Sequence, residues 1–374
     1  MGLDYYSATS SQNRINSEET RSIIEAVLNE SIKPDIKYLK NLAFIAYGQK
    51  NFDQSAILFS IVLASGSNKL QEQEYAIWHR LIQSLGTIGL AVRILDHWHE
   101  RDPDFHWNIW MRHPSTPRDS SRRQWFNTYQ KERIREEMPS VFLNTMHKSG
   151  SMTLLSAFID LLDLPTCRIS LDTQFFDKVI PSWARQFAKG GALTQEHLPG
   201  TDENIDALVK AGVRKIVVHL RRPEQAIISA EFHNEKVAAT SPILDPTIRQ
   251  PNPENRKERL EESLHRDLPV RAKWVADWMH ARSSRDDIDI HLSTFEQLVT
   301  DPSLSISEIC HFYEVPMQKN RIELENYRSE RNHFRSGRLD EWKEEFTEPQ
   351  RALAQNVLCE HIPRDFLEEL RWTE

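Results

Sequence analysis

The chain has little cysteine, no long apolar run and no excess of basic charge. Its three cysteines, Cys167, Cys310 and Cys359, are scattered and odd in number, so neither a disulfide framework nor a thiolate metal cluster is expected. No apolar stretch approaches the roughly 18 residues that a membrane-spanning helix needs, and none near the N-terminus resembles a signal peptide. Neither secretion nor membrane spanning is expected, and a cytoplasmic location is the economical reading. Lys and Arg number 47 against 55 Asp and Glu, a net charge of −8 over 374 residues, which argues against nucleic acid as a partner. The close pair His97 and His99, with His106 nearby, is no metal site. Residues two apart on a helix point to different faces, so no metal is expected.

What the chain does have is a strand-loop-helix signal near its middle. Residues 141–146, Val-Phe-Leu-Asn-Thr-Met, read as a buried strand that breaks into His147-Lys148-Ser149-Gly150-Ser151. Residues 153–162 then take up helical periodicity. A strand feeding a tight Gly-containing turn that opens a helix is a place to hold a phosphate. Backbone N–H groups and the helix N-terminus face the anion, Lys148 adds a charge, and Ser151 and Thr153 add hydroxyl donors. The nucleoside-triphosphate pattern G-x-x-x-x-G-K-[ST] is missing, since the lysine precedes the only glycine and Thr145 stands five residues before it.

The Lys-Ser-Gly-Ser loop resembles the 5′-phosphosulfate loop of sulfotransferases that use 3′-phosphoadenylyl sulfate (PAPS). Further segments follow in that family's order. A β-branched run at 215–220 leads into Arg221-Arg222-Pro223, with Pro223 at a helix start and Ser229 about two turns on. By the resemblance, Arg221 and Ser229 grip the 3′-phosphate. Residues 288–302 resemble the family's strand, Tyr-Glu-Asp-Leu helix and Asp-Pro turn, with Phe295 where many members place a tyrosine near the adenine. Residues 309–316 resemble the family's Phe-Leu-Gly-Val-Pro helix end. Residues 333–346 resemble the C-terminal Arg-Lys-Gly loop and its Trp. Arg335 and Gly337 match, Ser336 stands at the lysine position, and Arg338 offers a replacement cation.

Residues 194–199, Thr-Gln-Glu-His-Leu-Pro, resemble the Lys-Thr-His-Leu-Pro segment that holds the family's catalytic histidine. The resemblance makes His197 the candidate general base, because a hydroxyl attacks sulfur poorly unless its proton leaves as the bond forms. Glu196 is the reserve, since many carbohydrate sulfotransferases use a glutamate. Gln195 replaces the family's lysine, leaving Lys148 to offset charge on the leaving phosphate oxygen. Two further departures lie in the loop: Met152 replaces a phosphate-binding threonine, and Thr153 replaces the tryptophan that many members stack on adenine. The implied donor site is therefore Lys148, Ser149, Gly150, Ser151, Met152, Thr153, Arg221, Ser229, Phe295, Arg335, Ser336 and Gly337. The implied co-substrate is PAPS, the product 3′,5′-ADP, and the partner an acceptor bearing a hydroxyl (glycan, glycolipid or small molecule).

The first third differs in kind. Leu42, Ala43, Ala46, Phe52, Ser55, Ala56, Phe59 and Val62 recur at helix-hairpin spacing, and Trp78, Ile82, Ala91, Leu95, Trp98 and Pro103 follow. This resembles tetratricopeptide repeats, too few here for a free-standing solenoid, so packing on the catalytic domain, on flanking helices, or on a protein partner or second subunit is expected. Residues 101–139 read as an irregular linker, with Trp107 and Trp110 packing the domains together. Residues 240–256, rich in proline, read as a loop over the acceptor site, a candidate lid. The expected organisation is a helical repeat-like domain and linker (1–135) and an α/β sulfotransferase domain (136–374), its parallel sheet flanked by helices. Two other readings stay open: a P-loop kinase using ATP and Mg²⁺, and a catalytically silent scaffold, which the Gln195 and Ser336 substitutions would suit.

Overall fold

Residues 141–145 form a strand because Val141, Phe142 and Leu143 sit between neighbours on both sides, with no exposed face to serve. The computed structural model describes residues 35–64, 92, 96, 113–117, 122–170, 177–240, 253–316 and 337–373. The chain divides into two units, Met1–Trp107 and Asn108–Glu374.

In the first unit, α1 (Ile36–Gly48) and α2 (Phe52–Ala64) form a hairpin. Asp35 caps α1 by accepting from the N–H groups of Lys37 and Tyr38. Leu42, Ala43, Ala46, Ala56, Phe59 and Val62 are buried, and the Ser55 hydroxyl donates to the Ala43 carbonyl at 2.9 Å. Phe52 is an exception, lying exposed against Tyr47. The second set of repeat positions, from Trp78 to Pro103, lies outside the described residues, as do His97, His99, His106, Trp107 and Trp110.

The second unit begins, among described elements, with α3 (Arg122–Arg135), where the sequence suggested a linker. Its polarity hides it: Phe126 is fully buried, but polar bonds such as Gln130 to the Gly190 carbonyl at 2.8 Å tie it down. The elements that follow are β1 (Val141–Thr145), α4 (Ser151–Leu162), β2 (Thr166–Cys167), α5 (Pro181–Phe187), β3 (Leu193–Glu196), α6 (Asp202–Ala211) and β4 (Lys215–Leu220). Then come α7 (Pro223–Thr240), α8 (Arg256–Ser284), β5 (Asp289–Thr294), α9 (Phe295–Thr300), α10 (Pro302–Phe312), α11 (Glu341–Glu345), α12 (Glu348–His361) and α13 (Arg364–Glu369).

The five strands pair in the order β2-β3-β1-β4-β5, and every pairing is parallel. Strand β3 is the one that apolar patterning does not announce, because Leu-Thr-Gln-Glu carries one strongly apolar residue. Leu154, Leu155, Phe158 and Leu161 of α4 pack with Val141, Leu143, Ile306, Ile309 and Tyr313 in one core. Burying each of these large side chains contributes on the order of 2 kcal/mol. Tyr313 also closes a gap beside β1, its hydroxyl accepting from the Phe142 N–H at 3.0 Å and donating to the Phe142 carbonyl at 2.9 Å. With β1 central, its C-terminal loop sits where neighbouring strand ends converge, the usual ligand crevice of such sheets. Among the described residues no helix is long and apolar enough to cross a membrane.

Candidate active site

The loop after β1 is held by its carbonyls. Arg271 donates to the His147 carbonyl at 2.8 Å, Arg221 to the Lys148 carbonyl at 2.7 Å, and His219 to the Ser149 carbonyl at 2.9 Å. In a trans peptide the N–H points opposite to the C=O, so these anchors turn the Lys148 and Gly150 amides away from the scaffold. The Ser149 N–H closes the turn onto the Met146 carbonyl at 3.1 Å. Two residues take left-handed backbone, Lys148 at φ 70° and Gly150 at φ 82°. Gly150 is required twice over, since a Cβ there would meet the Phe295 ring at 3.0 Å. Helix α4 starts one residue later, without a side-chain cap at Gly150, which leaves its first N–H groups for another acceptor.

Two buried hydroxyls of the loop and the first turn of α4, Ser149 Oγ and Thr153 Oγ1, make no hydrogen bond among the described residues. A buried hydroxyl costs free energy until it is paired, and a phosphate oxygen is the partner that a Lys-Ser-Gly-Ser turn suits. The residues present therefore fit a phosphosulfate. Ser151 and Met152 follow half-buried on the first turn.

Charge is concentrated here. Burial, then Arg271 and Arg221, bring the Lys148 ammonium down to about 7. Burial also lowers Arg271, to about 10, and His219, to about 4. Neutral His219 suits its place, with Nδ1 3.0 Å from Ser293 Oγ and Nε2 on the loop. Beneath the loop, the Arg221 guanidinium lies over the Phe295 ring at 3.9 Å. Phe295 is thus a buried floor under Gly150 and Arg221. Arg222 points elsewhere, to Glu224 at 3.2 Å, the Trp372 carbonyl at 3.2 Å and the Trp342 ring at 4.6 Å. Ser229 lies half-buried about two turns into α7.

Across the loop, at the end of β3, stands His197. Its Nδ1 lies 2.6 Å from the Thr145 carbonyl oxygen, which can only accept, so Nδ1 carries the hydrogen and Nε2 the lone pair. The Gln195 amide nitrogen lies 3.4 Å from that Nε2 and donates to Thr145 Oγ1 at 2.8 Å. The His147 ring meets the His197 ring edge to face, centroids 5.4 Å apart. Burial first, then Arg271 and His197, hold His147 well below the usual histidine range. The His197 segment is fixed further by Trp274 and Trp278, whose indole N–H groups donate to the His197 carbonyl at 3.3 Å and the Leu198 carbonyl at 2.8 Å.

Glu196 faces the opposite way. Its carboxylate accepts from Arg168 at 3.1 Å, the Ile169 N–H at 2.7 Å, Ser170 at 2.7 Å and Thr194 at 2.8 Å. Strand alternation puts Gln195 and His197 on one side and Glu196 on the other. That corrects the reserve assignment: a fully buried carboxylate with four partners is a structural anchor. Arg338 is exposed and ion-paired with Glu344. Gly337 is left-handed at φ 70°, while Arg335 and Ser336 lie outside the described residues, as does most of the proline-rich segment, 241–252. The helix after that C-terminal loop is anchored: the Trp342 N–H donates to Gln225 at 3.2 Å and Gln225 donates to Glu341 at 3.0 Å.

His219, Arg271, Trp274 and Trp278 are site residues that motif reading passes over. His219 carried a signal, a polar residue inside the apolar run Ile-Val-Val-His-Leu. Arg271 carried none, since an arginine on a charged helix reads as a solvated one.

The sulfotransferase domain model matches residues 138–364, and the chain belongs to that family. Members transfer a sulfuryl group from PAPS to an acceptor, and the fold here is the family's parallel sheet flanked by helices. Among solved structures, the chain is similar to mouse sulfotransferase SULT7A1 complexed with PAP, at 17% identity and a TM-score of 0.45, over 66% of this chain and 96% of that one. No curated protein is similar enough in sequence to match. Among the described residues no group of His, Cys, Asp and Glu is arranged to hold a metal ion.

Proposed function

We propose that this PAPS-dependent sulfotransferase binds the donor's 5′-phosphosulfate on Lys148, Ser149, Gly150, Ser151, Met152 and Thr153, and that His197 removes the acceptor's hydroxyl proton. The 3′-phosphate falls to Arg221, Ser229 and the segment Arg335, Ser336 and Gly337. One observation carries the reading: the anchored carbonyls of residues 147–149 turn the Lys148 and Gly150 amides outward from the loop, and the His147 ring that begins this loop packs against the His197 imidazole. In the reaction the acceptor oxygen forms a bond to sulfur while the sulfur–oxygen bond to the phosphate breaks. The proton passes to His197 Nε2, and the charge left on the phosphate oxygen of 3′,5′-ADP is met by Lys148 and the loop amides.

The acceptor is an alcohol or phenol, in a glycan, glycolipid or small molecule. The helical unit at the N-terminus serves contact with a protein partner or second subunit, a role supported by the exposed Tyr38, Tyr47 and Phe52 on its hairpin. A cytoplasmic setting suits the free thiols of Cys167, Cys310 and Cys359.

Calorimetric titration tests the donor site. Binding of 3′,5′-ADP at least roughly tenfold tighter than AMP, and weakened in Arg221→Ala, is the expected result. Preference for ATP with Mg²⁺ would replace this reading with a kinase, and no binding of any of them would leave a scaffold.

A further inference from the structure

Helix α8 touches both halves of the site with one face. Arg271, Trp274 and Trp278 are spaced i, i+3 and i+7, which aligns them along a single stripe. Arg271 reaches the His147 carbonyl on the donor loop, while Trp274 and Trp278 reach the carbonyls of His197 and Leu198 on the base segment. The approach is as close as backbones allow: a Cβ on Gly200 would stand 2.9 Å from the Trp278 amide nitrogen. Burial is nearly complete at all three, with Arg271 3% exposed, Trp274 2% and Trp278 0%.

We propose that Arg271 is a positioning residue for sulfuryl transfer, fixing the phosphosulfate loop to the same helix face that fixes the base. This rests on the reading of that loop as the 5′-phosphosulfate site. The loop and the His197 segment extend adjacent strands, β1 and β3, past their last paired residues, Asn144 and Glu196, where the Asn144 side chain still ties β1 to Leu198 at 2.8 and 3.0 Å. Helix α8, bonded to the loop through Arg271 and to the His197 segment through Trp274 and Trp278, holds the loop side of the gap between them, where strand pairing has ended. His147 lies inside that gap, its carbonyl on Arg271, its ring against His197, and its chain neighbour the loop lysine. Displacing Arg271 would therefore move the leaving-group cation and the base relative to each other. A misplacement of about 1 Å is enough to cost roughly a hundredfold in rate. Asp267 and Glu231 act electrostatically on Arg271, so the guanidinium stays charged while it holds a neutral carbonyl.

The test needs no acceptor. Binding of 3′,5′-ADP and of 3′-AMP, which lacks the loop's phosphate, is measured by calorimetry on the full chain, with thermal melting alongside. In Arg271→Met, affinity for 3′,5′-ADP is expected to fall by roughly tenfold or more, while that for 3′-AMP stays within about twofold. Arg271→Lys, which keeps one donor and the charge, is expected to recover part of the loss. Unchanged 3′,5′-ADP binding in Arg271→Met would overturn the proposal. So would an equal loss for both nucleotides accompanied by a lowered melting temperature, the mark of a merely structural residue. If the wild-type chain binds 3′-AMP tightly but gains nothing from the 5′-phosphate, the reading of the loop itself has failed, which the variants' indifference to that phosphate distinguishes.

Discussion

The imidazole of His197 is fixed by the backbone of Thr145, its Nδ1 hydrogen on that carbonyl at 2.6 Å. The contact settles which nitrogen is basic, and no side-chain substitution at Thr145 removes it. His197→Ala is expected to lower sulfuryl transfer by roughly 10²–10⁴-fold and leave 3′,5′-ADP affinity within about twofold. Turnover with PAPS beside calorimetry checks both halves.

Glu196→Gln should behave in the opposite manner. Its carboxylate neutralises buried Arg168, so the substitution strands a cation and should cost about 3 kcal/mol of stability. Enzyme that remains folded should keep most of its turnover. A variant with a wild-type melting curve and no activity would put the base back at Glu196.

Lys148 predicts how donor binding depends on pH. Burial and two neighbouring guanidinium groups bring it to about 7, so above neutrality the free enzyme's loop loses its charge. An anionic phosphate favours the ammonium, and binding therefore takes up a proton. The affinity for 3′,5′-ADP should fall as pH rises above about 7, by at most about tenfold per unit. Lys148→Met should flatten that dependence. The stability contribution runs the other way. The unfolded chain holds the extra proton between about 7 and the ordinary lysine value of 10.5, so this group's destabilisation is relieved as pH climbs through that window.

Gly150→Ala should damage both fold and site. The substitution places a side chain at φ 82° and drives a Cβ to 3.0 Å from the Phe295 ring, which also carries the Arg221 guanidinium. The backbone strain alone costs about 1–2 kcal/mol. Thermal denaturation should show it, and 3′,5′-ADP affinity should drop together with stability. In the pair Gly150→Ala with Phe295→Leu, part of the loss should return.

Much of the site was legible because it is local. Strand β1, the loop from Lys148 to Ser151 and helix α4 lie within one short stretch, and their geometry follows from apolar run, glycine and helical period. The choice between Glu196 and His197 was not legible, for one reason: residues 193–196 do not look like a strand. Once they pair beside β1, alternation alone separates the two side chains. Arg271 was hidden more deeply. Its helix is charged throughout, and only the tertiary fold turns this arginine inward while Arg266, on the same helix, faces solvent. Helix α3 was missed for a related reason, since it is held by polar bonds and offers little apolar pattern.

The three anchors of the loop come from far along the chain. Sequence separations are 70 residues for His219, 73 for Arg221 and 124 for Arg271. A motif that is contiguous on paper is thus assembled late, and a nascent chain holds the complete phosphate loop long before it holds the loop's shape. Contacts of such range are slow to form, because loop closure comes first and reward second. Fragments ending between the loop and α8 would carry the signature residues with no fixed carbonyl at 147, and would be inert toward nucleotide whatever their secondary structure. Donor binding is therefore expected to report on long-range packing, and to need a chain made through residue 271.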